Sequence, residues 1–430
     1  MTVLAPVLAR LLARARFGLR PGLERTRALL DTLGAPDEGL RVVHVAGTNG
    51  KGSVAAMCAA GLSRCGVRVG LFTSPHLARF AERVRVDGLE LDDAALARQL
   101  DRALQASEEA TFFEIATAAA LCAFREAGVD IAVLEVGLGG RLDATNAARG
   151  GVGSVSLITA IARDHQAVLG EDLAGIAREK AGILRVGRPA IALEPEDPAV
   201  RAALEQCAAE RGAGLRFVEA PRGRPFDFEG SRWRLRSVTP SLGGIHQCAN
   251  AALALAAGEA LDVDAERYRA GLEQARWAGR LEQIDDVLLD CAHNEAGAIA
   301  LASYLAGANR DRALALVFGH LDDKDGRSGI APLLPHIGEI VLVAPPGGRG
   351  ADPASLAAWL RARGRSVRIA DSVAEALAAR RGPTLVAGSI YLVGAARALL
   401  LGERPDPVAT SDPAAKREIP SRLAPRGISD

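Results

Sequence analysis

Val42-Val43-His44-Val45-Ala46-Gly47-Thr48-Asn49-Gly50-Lys51-Gly52-Ser53 is the stretch from which the fold can be read. Residues 42–46 are an apolar run suited to a buried strand, the turn that follows is rich in glycine, and residues 54–61 read as a helix. A strand, a glycine turn and a helix start make a phosphate cradle. Its N–H groups point inward with the positive end of the helix dipole, and Lys51 adds a mobile charge for a terminal phosphate. The usual P-loop has a glycine five residues before the Gly-Lys pair and a Ser or Thr straight after it. Here position 45 is Val, and Gly52 separates Lys51 from Ser53. The plainer reading is a turn whose glycines serve sterics alone, but a lysine between two glycines at a helix start has little packing use.

Working outward from the cradle, residues 23–33 are helical and stop at Gly34 and Pro36. Residues 67–72 read as a second strand ending in Thr73-Ser74-Pro75-His76-Leu77. A third run, residues 131–134, ends in Glu135 and the glycine-rich stretch 137–140, and a fourth, residues 155–161, ends in Arg163-Asp164-His165. Helical stretches such as 92–106 and 115–127 separate these strands, which predicts a largely parallel sheet. In such a sheet, residues just past the carboxyl ends of the strands converge on one crevice. Lys51, Ser74, Glu135 and His165 would all face it. A cation, a hydroxyl and a carboxylate suit a nucleoside triphosphate with Mg²⁺; the imidazole is a softer ligand. Taken singly, each has a plainer reading: a hydrogen-bonded histidine, a strand-end acid, and turn chemistry before Pro75.

Lys180, in Arg178-Glu179-Lys180-Ala181-Gly182-Ile183, reads by pattern as a solvated helix lysine. Residues 189–238 contain strand-like runs, with period-2 alternation at 233–236. Gly243-Gly244-Ile245-His246-Gln247 opens an apolar helix carrying Asn250, a polar residue near a helix start. The texture changes at Trp277-Ala278-Gly279-Arg280. A fresh βα series then runs through strands at 287–290, 314–318, 340–343, 367–369 and 384–387, with helices such as 353–363 and 373–381 between them. Its strand ends carry Asp290 with His293 and Asn294, then Gly319 to Asp325, then Gly388-Ser389-Ile390-Tyr391.

The expected architecture is α/β: an N-terminal, P-loop ATPase-like, mostly parallel sheet over residues 1–283, and a smaller Rossmann-like doubly wound domain over 284–402, with a cleft between them. Residues 403–430, rich in proline and charge, are expected to be disordered. The N-terminal 19 residues are amphipathic and free of acid, but lack a continuous apolar core and cleavage site, so a surface helix is expected rather than a targeting signal. No apolar run approaches the roughly 18 residues that would span a bilayer. Lys plus Arg and Asp plus Glu are 52 each, so no net field draws nucleic acid or anionic lipid, and any anion site must be local. The six cysteines form no C-x-x-C pair, which argues against zinc or a disulfide framework and for a reducing compartment, the cytoplasm.

These phrases together carry a resemblance. Gly47 to Ser53, Thr73 to Leu77 with Glu82-Arg83-Val84-Arg85-Val86, Glu135 to Asn146, Asp164-His165, Glu179-Lys180-Ala181-Gly182, His246-Gln247 to Asn250, Gly279-Arg280, Phe318-Gly319 with Asp323-Lys324-Asp325, and Gly388 to Tyr391 are similar to the folylpolyglutamate and dihydrofolate synthases, Mur ligase-like ATP-dependent amide ligases. The extra glycine that breaks the P-loop pattern is the form this family uses. The resemblance implies that ATP activates a pteridine-linked carboxylate as an acyl phosphate, which the amine of L-glutamate attacks. Dihydropteroate and tetrahydrofolate are the acceptors it implies, and the residues do not choose between them. It implies that Gly50, Lys51, Gly52 and Ser53 hold the ATP phosphates, that Ser74, Glu135 and His165 ligate Mg²⁺, and that Asn250, Arg280 and Asp290 contact ATP from the interdomain side.

By the same resemblance Lys180 is carboxylated by CO₂ to a carbamate, Thr111, Phe112, Phe113, Glu114, Leu142, Asp143 and Ala144 line the pteridine pocket, and His293 and Ser389 lie near the incoming glutamate. A monomer is the family precedent. Two phrases depart from the family: Asp-Gly-Ala-His-Asn-Pro reads Asp290-Cys291-Ala292-His293-Asn294-Glu295, and Trp-Pro-Gly-Arg reads Trp277-Ala278-Gly279-Arg280, so an altered turn and a looser hinge are expected. A muramyl-peptide ligase would usually need a further N-terminal nucleotide-sugar domain, and only about 40 residues precede the cradle. A GTPase switch would need Asn-Lys-x-Asp, which is lacking, and a small-molecule kinase would leave the second sheet and Lys180 without a use. A purely structural role leaves the strand-end polar set unexplained.

Overall fold

The computed structural model describes residues 3–14, 18, 20–307 and 313–406. In chain order its first half contains α1 (Leu4–Leu12), α2 (Glu24–Thr32), β1 (Arg41–Ala46), α3 (Lys51–Arg64), β2 (Val69–Phe72), β3 (Val84–Val86), β4 (Leu89–Glu90), α4 (Asp93–Ala106), α5 (Phe112–Glu126), β5 (Ile131–Glu135), β6 (Val155–Ile158), α6 (Gln166–Leu169), α7 (Leu173–Ala181), β7 (Pro189–Leu193), α8 (Pro198–Arg211) and β8 (Gly214–Val218). The eight strands form one sheet in the order β4-β3-β2-β5-β1-β6-β7-β8. From β2 to β8 every pairing is parallel, and β3 and β4 add an antiparallel edge.

Alternation along β1 decides which layer each residue joins. Val43 and Val45 pack with α3 on one face, and Val42 joins the cluster under α1, α2, α4 and α5 on the other. The first face is completed by a hairpin, β9 (Phe226–Glu229) and β10 (Arg234–Val238), and by the helices α9 (Ile245–Ala260) and α10 (Ala265–Leu272). α7 and α8 cover β6 and β7 with a smaller cluster on the opposite side. With both faces covered, residues 42–46, 131–135 and 155–158 are buried, as their mainly apolar runs require.

Two expectations are revised. The N-terminal helix does more than lie on the surface: Leu4, Leu8 and Leu11, spaced for one helical face, are buried against the domain. The region 189–238 is not strand alone, because residues 198–211 form α8. Asp197 caps that helix, Pro198 occupies its first turn, and Val200, Ala203, Leu204, Cys207 and Ala208 line its buried face.

The second sheet contains β11 (Glu282–Ile284), β12 (Val287–Leu289), β13 (Leu314–Phe318), β14 (Ile337–Val343), β15 (Val367–Ala370) and β16 (Thr384–Ala387), in the order β11-β12-β16-β13-β14-β15. Only β11 is antiparallel to its neighbour. The expected division after residue 283 falls within this first strand. α11 (Glu295–Gly307), α12 (Gly326–Ile330) and α13 (Pro353–Arg361) cover one face; α14 (Val373–Ala378) and α15 (Ile390–Leu401) cover the other. Of the expected disordered tail, residues 407–430 lie outside the described residues. Among the described residues no helix is long and apolar enough to cross a membrane.

Candidate active site

The cradle is the turn from β1 into α3. Gly50 caps α3 at φ +91°, a left-handed conformation that favours glycine, and Asn250 of α9 lies where a side chain on Gly50 would stand. Gly52 answers to a different neighbour. A methyl group there would lie 2.8 Å from Nε1 of Trp277, whose ring carries the Arg85 guanidinium 5.3 Å from its centroid. The glycine that breaks the usual P-loop spacing is therefore what lets the indole cover the loop. Ser53 is buried and accepts a hydrogen bond from Gln247 Nε2 at 3.2 Å; Gln247 in turn accepts one from Asn250 Nδ2 at 2.9 Å. Thr48 fastens the loop to the strand-end segment of β6, donating its N–H to Ala160 O at 2.8 Å and its hydroxyl to Ala162 O at 3.0 Å.

Two amines meet at the cradle. Lys51 Nζ donates to Gly47 O at 3.2 Å and to Thr48 O at 3.1 Å; Lys180 Nζ reaches from the last turn of α7 to Gly47 O at 2.8 Å. Lys180 is buried, contrary to the solvated lysine its pattern suggests. Burial, with the charge of Lys51 beside it, brings the amine down to about 7.

At the end of β5, Glu135 is buried and accepts the Ser74 N–H at 3.0 Å. Burial raises its pKa, against the opposing pull of Lys51, the Ser74 amide, Arg280 and Arg83. His165 sits at φ +50° just before α6, and burial pushes its imidazole down to about 4, which leaves a free ring nitrogen at neutral pH. Among the described residues no group of three or more His, Cys, Asp and Glu side chains is gathered for a metal. A site built on Ser74, Glu135 and His165 offers only a hydroxyl, a carboxylate and a neutral imidazole. That set fits an ion that takes its remaining ligands from phosphate oxygens and water, as Mg²⁺ does.

The second sheet faces this crevice. Asp164 accepts Asn294 Nδ2 at 3.0 Å, lies 3.4 Å from His293 Nε2 and pairs with Lys324. Burial works against ionisation of Asp164, but the His293 hydrogen bond and the charges of His165, His293 and Lys324 hold it well below the usual carboxylate range. Asn294 also exchanges two amide hydrogen bonds with Asn49 of the cradle, at 3.1 and 3.0 Å. Asn49, Asp164 and Lys324 are in the resembling phrases and Asn294 in a phrase that departs from the family, but no pattern in the sequence assigned them a task. Their common role is visible only once two sheets are set edge to edge.

Of the other expected site residues, some hold the local framework and some keep a face toward the crevice. Asp290 accepts the Leu281 and Ala292 amides at 3.0 and 2.9 Å, which fixes the turn that presents His293. Arg280 lies close enough to Glu135 and Asp290 for its charge to act on both. Thr111 and Glu114 cap α5 reciprocally, and Glu114 also holds Arg25 and Thr26; Phe112 is fully buried in the core. Of these four only Phe113 keeps an exposed part; it lies over Gly137, beside the Glu135 segment. Asp143 accepts the Gly137, Leu138 and Thr145 amides, which orders the glycine-rich loop, and Ala144 is buried behind it. Leu142, half-buried, remains on the loop surface. Ser389 is buried and caps α15.

Comparison with known proteins decides the family. The chain matches the Mur ligase middle domain over residues 45–258 and the Mur ligase glutamate ligase domain over residues 279–397. It is 36% identical over 340 residues to the dihydrofolate synthase/folylpolyglutamate synthase of Bacillus subtilis, covering 72% of this chain and 78% of that one. The chain belongs to the dihydrofolate synthase/folylpolyglutamate synthase family of Mur ligases. It is also 37% identical over 415 residues to the probable bifunctional folylpolyglutamate synthase/dihydropteroate synthase of Haloferax volcanii; that match covers 89% of this chain but about half, 49%, of the relative's length. Two solved members of the family have the same architecture. The E. coli FolC complex with DHPP and ADP superposes with a TM-score of 0.84 at 32% identity, over 92% of this chain and 98% of that one. The Yersinia pestis enzyme, described as complexed with AMPPNP and Mn ion, gives 0.80 at 33% identity, over 89% and 94%.

Proposed function

We propose that this family member is an ATP-dependent ligase that adds L-glutamate to dihydropteroate and to the glutamate tail of tetrahydrofolate. The observation that carries this reading is the docking of the phosphate cradle onto the second sheet through Asn49 and Asn294. A kinase needs only the cradle. A ligase must hold an activated acid from one sheet against an amine from the other.

In this reading Gly50, Lys51, Gly52 and Ser53 receive the ATP phosphates, and Asn250, Arg280 and Asp290 border the nucleotide from the interdomain side. Lys51 leaves the carbonyls it now holds and follows the terminal phosphate. The substrate carboxylate attacks that phosphorus, ADP departs, and an acyl phosphate results. The amine of glutamate, oriented near His293 and Ser389, then displaces phosphate, losing a proton and forming the amide. Ser74, Glu135 and His165 are the residues that would hold Mg²⁺, whose charge offsets that of the transferring phosphoryl group. Lys180, whose amine burial brings down to about 7, is in part a free amine near neutral pH and so meets the first requirement for a carbamate, which forms only from the free amine. Phe113 is the aromatic available to stack on a pteridine ring, and the half-buried Leu142 is the apolar residue that the glycine-rich loop offers beside it in this reading. The protein acts as a monomer in the cytoplasm.

The test is glutamate-dependent ADP release by the purified protein, with 7,8-dihydropteroate in one assay and tetrahydrofolate in another. Release in both supports the bifunctional reading, and release with dihydropteroate alone makes it a dihydrofolate synthase. No release in either, with ATP bound, points to a Mur-type ligase for another carboxylic acid.

A further inference from the structure

Residues 73–83 form a loop between β2 and β3 that bears Ser74 at one end and Arg83 at the other, and its base is closed by the Thr73 N–H donating to Arg83 O at 3.0 Å. Four successive amides in this loop point at carboxylates. Those of Leu77, Ala78 and Arg79 donate to Glu82 at 2.8, 2.8 and 2.7 Å. The fourth, Phe80, donates at 2.8 Å to Asp406, which lies 326 residues further along the chain. The Asp406 N–H returns a bond to Ala78 O at 2.9 Å, so the contact has two points. α15, which precedes this segment, places Gly394 directly against the Leu77 backbone. The second domain thus grips the loop with α15 and with the segment behind it.

The far side of the loop faces the crevice. Arg83 is fully buried, donates Nε to His76 Nδ1 at 2.8 Å, and sets its guanidinium 5.4 and 5.3 Å from the rings of Phe80 and Phe112, which touch each other edge to face. Its charge acts on Glu135, which also receives the Ser74 amide. Phe80 therefore touches both the strap and the arginine. Movement of the Leu77–Phe80 backbone would shift Arg83 and Ser74 together.

We propose that Asp406 is a positioning residue: by holding the Phe80 amide and the Ala78 carbonyl, it fixes the loop that presents Ser74 to the metal and that holds Glu135 of β5 through the Ser74 amide, and so ties that side of the site to the second domain. The proposal rests on reading Ser74 and Glu135 as the metal side. The contact asks only for an acceptor oxygen opposite the Phe80 N–H, which a side-chain amide also carries, so asparagine should replace Asp406.

The experiment uses the full chain as wild type, Asp406→Ala and Asp406→Asn. Two quantities are read: hydrogen exchange at the amides of residues 77–80, and the Mg²⁺ concentration that half-saturates ATP binding in titration calorimetry. In Asp406→Ala, exchange should speed up about five-fold and the Mg²⁺ requirement should rise about as much, the scale of losing one capping acceptor. Asp406→Asn should restore both. Unchanged exchange in Asp406→Ala overturns the strap; faster exchange with an unchanged Mg²⁺ requirement overturns the positioning role. Wild-type protein that binds no ATP would instead sink the functional reading, and the exchange measurement would still decide the strap.

Discussion

The amines of Lys51 and Lys180 donate to one acceptor, the carbonyl oxygen of Gly47, at 3.2 and 2.8 Å. Two cations cannot share a buried oxygen without disfavouring each other's charge, and Lys51 is the largest cause after burial of the lowered pKa of Lys180. Lys51→Ala should lower turnover by about 10²-fold or more, the scale of losing one preorganised electrostatic contact. Stopped-flow or steady-state ADP release checks this, and wild-type turnover in the variant would remove the cradle from the mechanism.

The carbamate reading of Lys180 has its own pH signature. Carbon dioxide adds to the neutral amine. Below a pKa of about 7 the buried amine is protonated and unreactive, and above it the free base is present. A ¹³C carbamate resonance from labelled bicarbonate should therefore grow as pH rises through 7, and be absent in Lys180→Ala. Added short carboxylates should partly restore the activity of that variant. In Lys51→Ala, with the neighbouring charge gone, the resonance should grow in at higher pH than in wild type. A signal that falls as pH rises through 7 would contradict the assignment.

Much of this arrangement was legible from local pattern, and the reasons are specific. β1, β5 and β6 are buried on both faces, so their mainly apolar runs mark them, and polar residues at their ends mark the crevice. α8 is hard to read from apolar period because alanines and charged residues alternate along its 14 residues, and the cap at Asp197 followed by Pro198 is the better signal. Phe112 and Phe113 are adjacent and chemically alike, and sequence cannot tell that α5 turns the first into the core and the second toward Gly137. Lys180 looked solvated because its partners, Gly47 and Lys51, are about 130 residues away in the chain, beyond the reach of any local pattern. Asp406 lies in a stretch whose composition suggested disorder, yet it bonds the Phe80 amide.

Gly52 offers a test of why the cradle departs from the common P-loop. Gly52→Ala would bring a methyl group 2.8 Å from the Trp277 indole nitrogen and within 3.4 Å of its ring. Relief requires the indole to leave Arg85 or the loop to shift, at a cost of about 1–3 kcal/mol. ATP affinity should fall roughly ten-fold, which calorimetry would read. Gly52→Ala combined with Trp277→Ala should recover part of that loss, and simple additivity of the two changes would show that the indole is not the obstacle.

The last relationship lies between the sheets. Asp164 and Lys324 pair with side chains only 8% and 11% exposed, and Asn294 adds a hydrogen bond to the same carboxylate while holding Asn49. Asp164→Ala leaves the Lys324 ammonium in a low-dielectric cleft with its partner gone, the situation that costs about 3–5 kcal/mol in buried pairs. The penalty falls on the docked arrangement alone, because separated domains return the lysine to water. Asp164→Ala should therefore loosen the docking of the two domains, seen as a larger radius of gyration in solution scattering, and should slow glutamate-dependent turnover more than it weakens ATP binding. Asp164→Ala and Lys324→Ala together should be less harmful than the sum of the two single changes, by a coupling of about 0.5–3 kcal/mol. Equal loss in ATP affinity and in turnover would place Asp164 in support of the cradle alone and leave the docking to Asn49 and Asn294.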